Sequence, residues 1–241
     1  MQAEEKIRIN KYLAMSGICS RRDADKLIEQ GKVTINGRVA VTGDKVCKQD
    51  VIQIGKKKIQ TENKKVVLAF YKPVGVVCTE RDPHVEKIIR DLIRYPIRVT
   101  YAGRLDKDSE GLLLLTNDGE LIQAMMRGAN GHEKEYVVKT DKEITDDFIQ
   151  NMEQGVFLKE LDIKTKPCKL EKTGKYTFHI ILTQGVNRQI RRMCQTFGYQ
   201  VKELKRTRVL NITLDGLKNG QFRELTEDEL MLLYNKCGLS R

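Results

Sequence analysis

Asp106 stands in a setting that could do chemistry. It lies in Gly103-Arg-Leu-Asp-Lys-Asp-Ser-Glu-Gly111, a polar stretch that leads into Leu112-Leu-Leu-Leu115 and then Asn117-Asp-Gly119. A continuous apolar run bounded by turn residues is the pattern of a strand buried on both faces. Asp106 is therefore expected in a polar loop beside the core. A carboxylate held there can act as nucleophile or base, because burial and neighbouring charges set its pKa; a charged loop residue can equally stand solvated with no chemical task. Two later segments carry further candidates. Glu133-Lys-Glu-Tyr-Val-Val138 reads as a strand with Tyr136 on one face. Phe178 to Thr183 reads as another strand, followed by Gly185 and a helix from Asn187 to Phe197. On that helix Ile190, Met193, Cys194 and Phe197 form one apolar stripe. At about 100° per residue, Arg188, Arg192 and Gln195 point away from the stripe, and Arg191 falls on its boundary. The outward arginines suit phosphates, and the boundary arginine suits a fixed, partly buried salt bridge. A plain amphipathic helix with a wet basic face accounts for the stripe equally well.

Other common chemistries lack their residues. The six cysteines (Cys19, Cys47, Cys78, Cys168, Cys194, Cys237) contain no CxxC pair. They read as reduced thiols, mostly buried as small apolar groups. The three histidines (His84, His132, His179) lie far apart and none is spaced near a cysteine, so no metal is expected. Neither GxxxxGK[ST] nor GxGxxG occurs, which leaves no nucleotide-binding loop.

The elements that must position these residues belong to a chain of 241 residues, with 40% hydrophobic and 32% charged. That suits one large domain, or a small domain joined to a medium one, and excludes a disordered chain. No apolar run approaches the roughly 20 residues of a spanning helix, so no membrane partner is expected. The start, Met1-Gln-Ala-Glu-Glu-Lys6, has no apolar signal core, and a cytoplasmic location follows as the expectation. Forty-four basic against 33 acidic side chains give a formal charge of +11. The excess is concentrated. Residues 1–65 hold fifteen basic and eight acidic side chains, and residues 186–208 hold seven and one. Two basic blocks are what a polyanion gripped at two places requires, and they favour a nucleic acid over a merely basic surface.

The first block reads as a compact module. Ile9 and Leu13 lie one turn apart on a short helix that ends at Gly17. Ser20 is an N-cap with Asp23 three residues on, and it opens a second helix whose stripe is Ala24, Leu27 and Ile28 and which Gly31 stops. Val33 and Ile35 alternate into Asn36-Gly37, and Val39 and Val41 alternate out, a hairpin signal with a type I′ turn. Asp50 to Ile54 offers one more strand, and Lys56 to Lys65 is a polar stretch of linker character. The run Arg8-Ile-Asn-Lys-Tyr-Leu13, then Gly17-Ile-Cys-Ser-Arg-Arg-Asp23, then Ile28 to Gly37, resembles an S4 RNA-binding domain. That resemblance implies structured RNA as partner, with Arg8, Lys11, Ser20, Arg21, Arg22 and Lys32 in contact with it.

From about Val66 onward the chain resembles the bacterial pseudouridine synthases of the RsuA/RluB/E/F family. Gly103-Arg-Leu-Asp106 with its Leu run, Glu135-Tyr136, and Gln184-Gly-Val-Asn-Arg-Gln-Ile-Arg-Arg-Met-Cys194 carry the likeness. Together with Glu203-Leu-Lys-Arg-Thr-Arg-Val-Leu-Asn211 they stand nearest the RluF branch, which modifies 23S ribosomal RNA. The resemblance implies an α+β fold: a small S4 domain (1–60), a linker (61–65), and a catalytic domain (66–241) with a central mixed, mainly antiparallel sheet. It implies Asp106 as nucleophile, Arg191 as the arginine that pairs with it, Tyr136 as the active-site tyrosine, and Arg104 as the residue that enters the helix vacated by a flipped uridine. Arg188 and Arg192 are expected on RNA. No cofactor, nucleotide or metal is implied, and the working form is expected to be a monomer on 23S ribosomal RNA. Other targets of the same reaction are 16S ribosomal RNA and transfer RNA. A non-catalytic S4-type assembly factor, or a glycosidase that stops after bond cleavage, are the rivals; the presence of Asp106 disfavours the first, and the second needs a route for water.

Overall fold

The computed structural model describes residues 6–60, 64–79, 88–127 and 131–240. The expected linker core (61–63) and His84 lie outside the described residues. The chain divides into two compact units. One runs up to Val66 and takes in Tyr95–Thr100 and Thr116–Gly119; the other holds Val67–Arg94, Tyr101–Leu115 and the chain from Glu120 onward.

In the first unit local signals account for almost every element. The helix Ile9–Met15 stops at Ser16, and Gly17 follows with φ +71°. Ser20 caps the helix Arg21–Glu29: its Oγ accepts from Asp23 N at 3.1 Å and its hydroxyl donates to Asp23 Oδ2 at 2.8 Å. Asn36 and Gly37 both have positive φ, +51° and +84°, as a type I′ turn demands. They join Val33–Ile35 to Arg38–Val39, the edge of an antiparallel sheet completed by Ile52–Ile54 and Lys57–Ile59. Two details differ from the sequence expectation. The outgoing hairpin strand ends at Val39, and Val39 and Val41 are exposed. Lys57–Ile59 is a strand inside the stretch read as linker, because Gly55 (φ +58°) turns the chain and Ile59 enters the core. Three consecutive lysines hid one inward isoleucine. The core is Ile9, Leu13, Ala24, Ile28, Val33 and Ile52 with their neighbours.

The second unit is built on a mixed sheet. Its strands lie in the order Lys169–Gly174, Thr177–Leu182, Lys134–Thr140, Val201–Val209, Glu110–Thr116, Val67–Lys72 and Phe222–Glu224. Val201–Val209 and Glu110–Thr116 run parallel, with Lys205 opposite Glu110 and Arg206 opposite Gly111. The pairs Lys134–Thr140 makes with Thr177–Leu182 and Val201–Val209 are antiparallel. Every residue from Gly111 to Thr116 is buried, as the apolar run requires. One apolar cluster gathers Leu112, Leu114, Leu121, Met125 and Val209 with Leu230, Leu233 and Tyr234 of the helix Glu227–Lys236. A second gathers Val138, Phe178 and Ile180 with Phe148 and Met152 of the helix Asp146–Glu153 and Ile190, Met193 and Cys194 of the helix Gln189–Thr196. That last helix is shorter than expected, because Arg188 adopts the left-handed conformation (φ +51°, ψ +33°) and the helix starts after it. Among the described residues no helix is long and apolar enough to cross a membrane. The six cysteines are unpaired, with Cys78, Cys194 and Cys237 buried.

Candidate active site

A cleft of about 490 Å³ opens in the second unit, and both apolar clusters contribute to its walls. Asp106, Arg104, Tyr136, Lys134, Arg188 and Arg206 line it. Asp106 sits in the loop before the strand Glu110–Thr116, with its side chain 35% exposed. Main-chain hydrogen bonds fix this loop. Ser109 N donates to Asp106 O at 3.1 Å, closing a turn, and Gly75 N donates to Lys107 O at 2.7 Å. The buried Leu105 donates its N–H to Cys78 Sγ at 3.4 Å. The turn that carries Gly75 is itself held by Lys72. This lysine is fully buried at the end of an apolar strand and donates to Pro73 O at 2.7 Å and Val76 O at 2.9 Å. Burial lowers the pKa of the Lys72 amine, against the pull of Cys78, Asp106 and Asp108. Burial pushes the Cys78 thiol up.

The arginines differ from their expected places. Arg191 was expected to pair with Asp106. Its Nη1 donates to Val201 O at 3.0 Å and its Nη2 to Asp108 O at 2.8 Å. Its Nε lies 3.3 Å from Asp108 Oδ2, an ion-pair distance without a hydrogen bond's alignment. Among the described residues the cation nearest Asp106 is Arg188, whose Nη1 is 3.7 Å from Asp106 Oδ2. Arg188 makes its main pair with Asp108, donating Nη1 to Oδ1 at 3.1 Å and Nη2 to Oδ2 at 2.9 Å. The physical reason is the helix start: a left-handed residue ahead of the helix lies off the helical wheel, so its side chain folds over the loop instead of pointing outward. Arg192, also expected to point outward, forms an ion pair with Glu160, and its Nε donates to Asn187 O at 3.1 Å. Both guanidiniums thus have protein partners while keeping further N–H donors, since each carries five. Burial works to raise the Asp108 carboxyl, but the hydrogen bonds from Arg188 and the charges of Arg191 and Arg188 outweigh it and hold it below the usual carboxylate range.

Tyr136 follows a register shift between Glu135 and Tyr136, and pairs with Arg206 on one side and Ile180 on the other. Arg206 also faces Gly111, so a single residue ties the tyrosine strand to the aspartate motif. Its side chain is only 3% exposed, with Nε donating to Leu112 O at 2.7 Å and Nη1 to Arg104 O at 3.4 Å. Arg104 therefore has a fixed main chain and an exposed side chain. Arg206, Lys72, Lys134 and Asp108 are site residues that sequence reasoning missed. The available signals were a lysine inside an apolar strand at Lys72 and, for Arg206, its place in the second basic block. Among the described residues, no group of three or more His, Cys, Asp or Glu could hold a metal ion.

In the first unit Arg8, Arg21, Arg22 and Lys32 are exposed and Lys11 is half-buried. Ser20 spends its hydroxyl on the helix cap.

A family model described as RNA pseudouridylate synthase matches residues 66–196, and the S4 domain model matches residues 7–52. The chain is 48% identical over 236 residues to the dual-specificity RNA pseudouridine synthase RluF of Escherichia coli O6:H1, spanning 97% of this chain and 80% of that protein. It is 38% identical over 233 residues to the ribosomal large subunit pseudouridine synthase B of Bacillus subtilis, spanning 94% of this chain and 95% of that protein. A crystal structure of a pseudouridylate synthase superposes with a TM-score of 0.70 at 29% identity, covering 94% of this chain and 99% of the other.

Proposed function

This chain belongs to the RNA pseudouridylate synthase family, and on that premise we propose that it isomerises a uridine of 23S ribosomal RNA with Asp106 as its nucleophile. The observation that carries the assignment is a carboxylate on a tethered loop, about one-third exposed, facing a cleft that a tyrosine and several cations line. The reaction breaks the N1–C1′ bond, turns the base, forms the C5–C1′ bond, releases the C5 proton and leaves a proton on N1. Atoms and electrons balance within the substrate, so the chemistry needs no oxidant or energy donor. The target base must first leave its stack, at a cost of about a few kcal/mol that is least in loops and bulges. Arg104, with a fixed main chain and an exposed side chain, takes the vacated place. Tyr136 stacks on the uracil and accepts the C5 proton. Arg191 positions the loop through Asp108 and Val201. Among the described residues Arg188 is the cation nearest the nucleophile and, with Arg192, contacts RNA.

Residues 1–60 grip the RNA outside the site through Arg8, Lys11, Arg21, Arg22 and Lys32, with Ser20 ordering the helix that presents Arg21 and Arg22. Residues 66–241 carry the chemistry. The large ribosomal subunit as target is supported by the Bacillus relative named for it, and a second RNA class by the dual specificity in the Escherichia relative's name. The protein works in the cytoplasm as a monomer.

The test is tritium release from C5-labelled uridine in ribosomal RNA, with the product probed for abasic sites. Release without abasic sites supports the isomerase over both a binding factor and a glycosidase. Asp106→Asn keeps volume and removes charge and nucleophilicity, so it should abolish release while RNA binding persists. Tyr136→Phe should bind RNA and slow by about 10²-fold or more, the usual contribution of a positioned proton acceptor. An Asp106→Asn protein with full activity overturns the assignment.

A further inference from the structure

We propose that Lys134 is a catalytic residue of this reaction: its ammonium donates to a carbonyl oxygen of the uracil and offsets the negative charge that the base acquires when the N1–C1′ bond breaks. That role rests on the reading of this cleft as the site of uridine isomerisation. When the bond breaks, its electron pair stays on the base, on N1 and by resonance on O2 and O4. When the C5–C1′ bond forms, the charge is withdrawn, the C5 proton leaves to Tyr136, and N1 ends with a proton. The anion therefore exists only between the two bonds, and a cation that meets it there acts on the reaction more than on binding.

Lys134 and Tyr136 stand two residues apart on the strand Lys134–Thr140, so both face the cleft, about 6.5 Å apart along the strand. A base stacked on the tyrosine ring presents its edge within reach of the lysine. The cross-strand neighbours of Lys134 are Leu182 and Val209, both buried and both in the cleft wall. Apolar walls suit a flat base better than a hydrated phosphate. The amine donates to His132 O at 3.2 Å, which leaves two of its three N–H donors for a substrate. The second observation is electrostatic. Among the described residues no carboxylate stands at ion-pair distance from Lys134 or Arg206. Asp106 and Asp108 are engaged by Arg188 and Arg191 instead. Arg206 is 3% exposed, and burial and the Arg206 charge both lower the pKa of the half-buried Lys134 amine. Cations taken out of water without a counter-charge are costly, and an anion formed beside them supplies it. Donors fixed in advance where charge develops stabilise that charge with no reorganisation.

The measurement is single-turnover consumption of the target nucleotide, read by nuclease digestion and chromatography, on two ribosomal RNA transcripts. One carries uridine and the other 5-fluorouridine. Fluorine at C5 draws off part of the charge on the base, so the fluorinated substrate needs the cation less. Lys134→Met keeps the length of the side chain and removes its charge. It should slow consumption of uridine by about 10²–10³-fold, the usual cost of one such donor, and the loss should shrink severalfold on 5-fluorouridine. RNA affinity should hold, because the charge is absent from the bound substrate. Lys134→Arg should keep most of the rate. Lys134→Gln, which retains a donor without the charge, should behave as Lys134→Met does and carries the comparison if the methionine variant does not fold. An unchanged rate, or equal losses on the two transcripts, overturns the role, since a packing or phosphate contact does not sense the fluorine. A parent chain that consumes neither transcript refutes the uridine reading of the cleft, whereas a parent active on both, beside equal losses in Lys134→Met, refutes only Lys134.

Discussion

Replacing Gly111 with alanine would place a methyl group against the main chain of Arg206. A Cβ at Gly111 would lie 2.2 Å from Arg206 O, 2.6 Å from Arg206 N and 2.9 Å from Arg206 C. Apolar heavy atoms settle at about 3.5–4.0 Å, so the two parallel strands would have to part by about 1 Å. No side chain can swing aside, because all three atoms are backbone in the ladder that pairs Gly111 with Arg206. Gly111 also has φ +111°, which strains any residue with a Cβ by about 1–3 kcal/mol. Overpacking a filled core costs about 1–3 kcal/mol more. The combined loss of about 2–6 kcal/mol is a large share of the roughly 5–15 kcal/mol that holds a domain folded. For a chain of this size each kcal/mol moves the melting temperature by about 2–4 °C, so Gly111→Ala should melt roughly 5–20 °C below the parent by calorimetry or circular dichroism. Activity at low temperature should fall too, since Arg206 Nη1 holds Arg104 O and Gly111 follows the Asp106 loop. Gly119→Ala is the control: at the start of the helix Gly119–Met126 nothing lies within 4 Å of the added atom, and alanine should leave the melting temperature unchanged or raise it. A Gly111→Ala protein melting within about 2 °C of the parent would refute the close-approach argument.

Two further outcomes follow from the basic surface and from the buried lysine. Replacing Arg21 and Arg22 together with alanine should weaken RNA binding and lower the log–log salt slope by roughly 1 to 2, the release expected for two phosphate contacts; an unchanged slope in a filter-binding series would remove the first unit from the RNA grip. Lys72→Met strands Pro73 O and Val76 O, at about 1–3 kcal/mol for each buried acceptor left unmade, and should melt lower at neutral pH. Because burial holds the Lys72 amine below its ordinary 10.5, the unfolded chain binds that proton more readily. The parent therefore gains stability as pH rises from the depressed folded value toward 10.5, and the gap to Lys72→Met should widen by pH 9.5. A gap that does not change with pH would contradict the desolvation of that amine.

The features legible in the sequence are those that neighbours along the chain decide. Ser20 caps its helix because Asp23 N comes within reach three residues on, and Asn36-Gly37 turns a hairpin because both residues accept positive φ. Leu112 to Leu115 is buried on both faces because no residue in the run tolerates water, and that fixes Asp106 in the loop beside it. Tyr136 on its strand and the apolar stripe of the late helix were legible in the same way. The pairing of the arginines was not. A helical wheel places Arg188 outward only if the helix includes it, and one left-handed residue removes it from the wheel and lays its guanidinium on Asp108, 80 residues away. Lys72 and Arg206 look in the sequence like ordinary cations of a basic chain. What makes them site residues is the carbonyl groups of Pro73, Val76, Leu112 and Arg104, which converge only once the strands pair. The spacing of residue types therefore settles which groups can react, whereas the tertiary structure settles which charge faces which, because ion-pair partners are chosen by distance in space and chain separation carries no record of it.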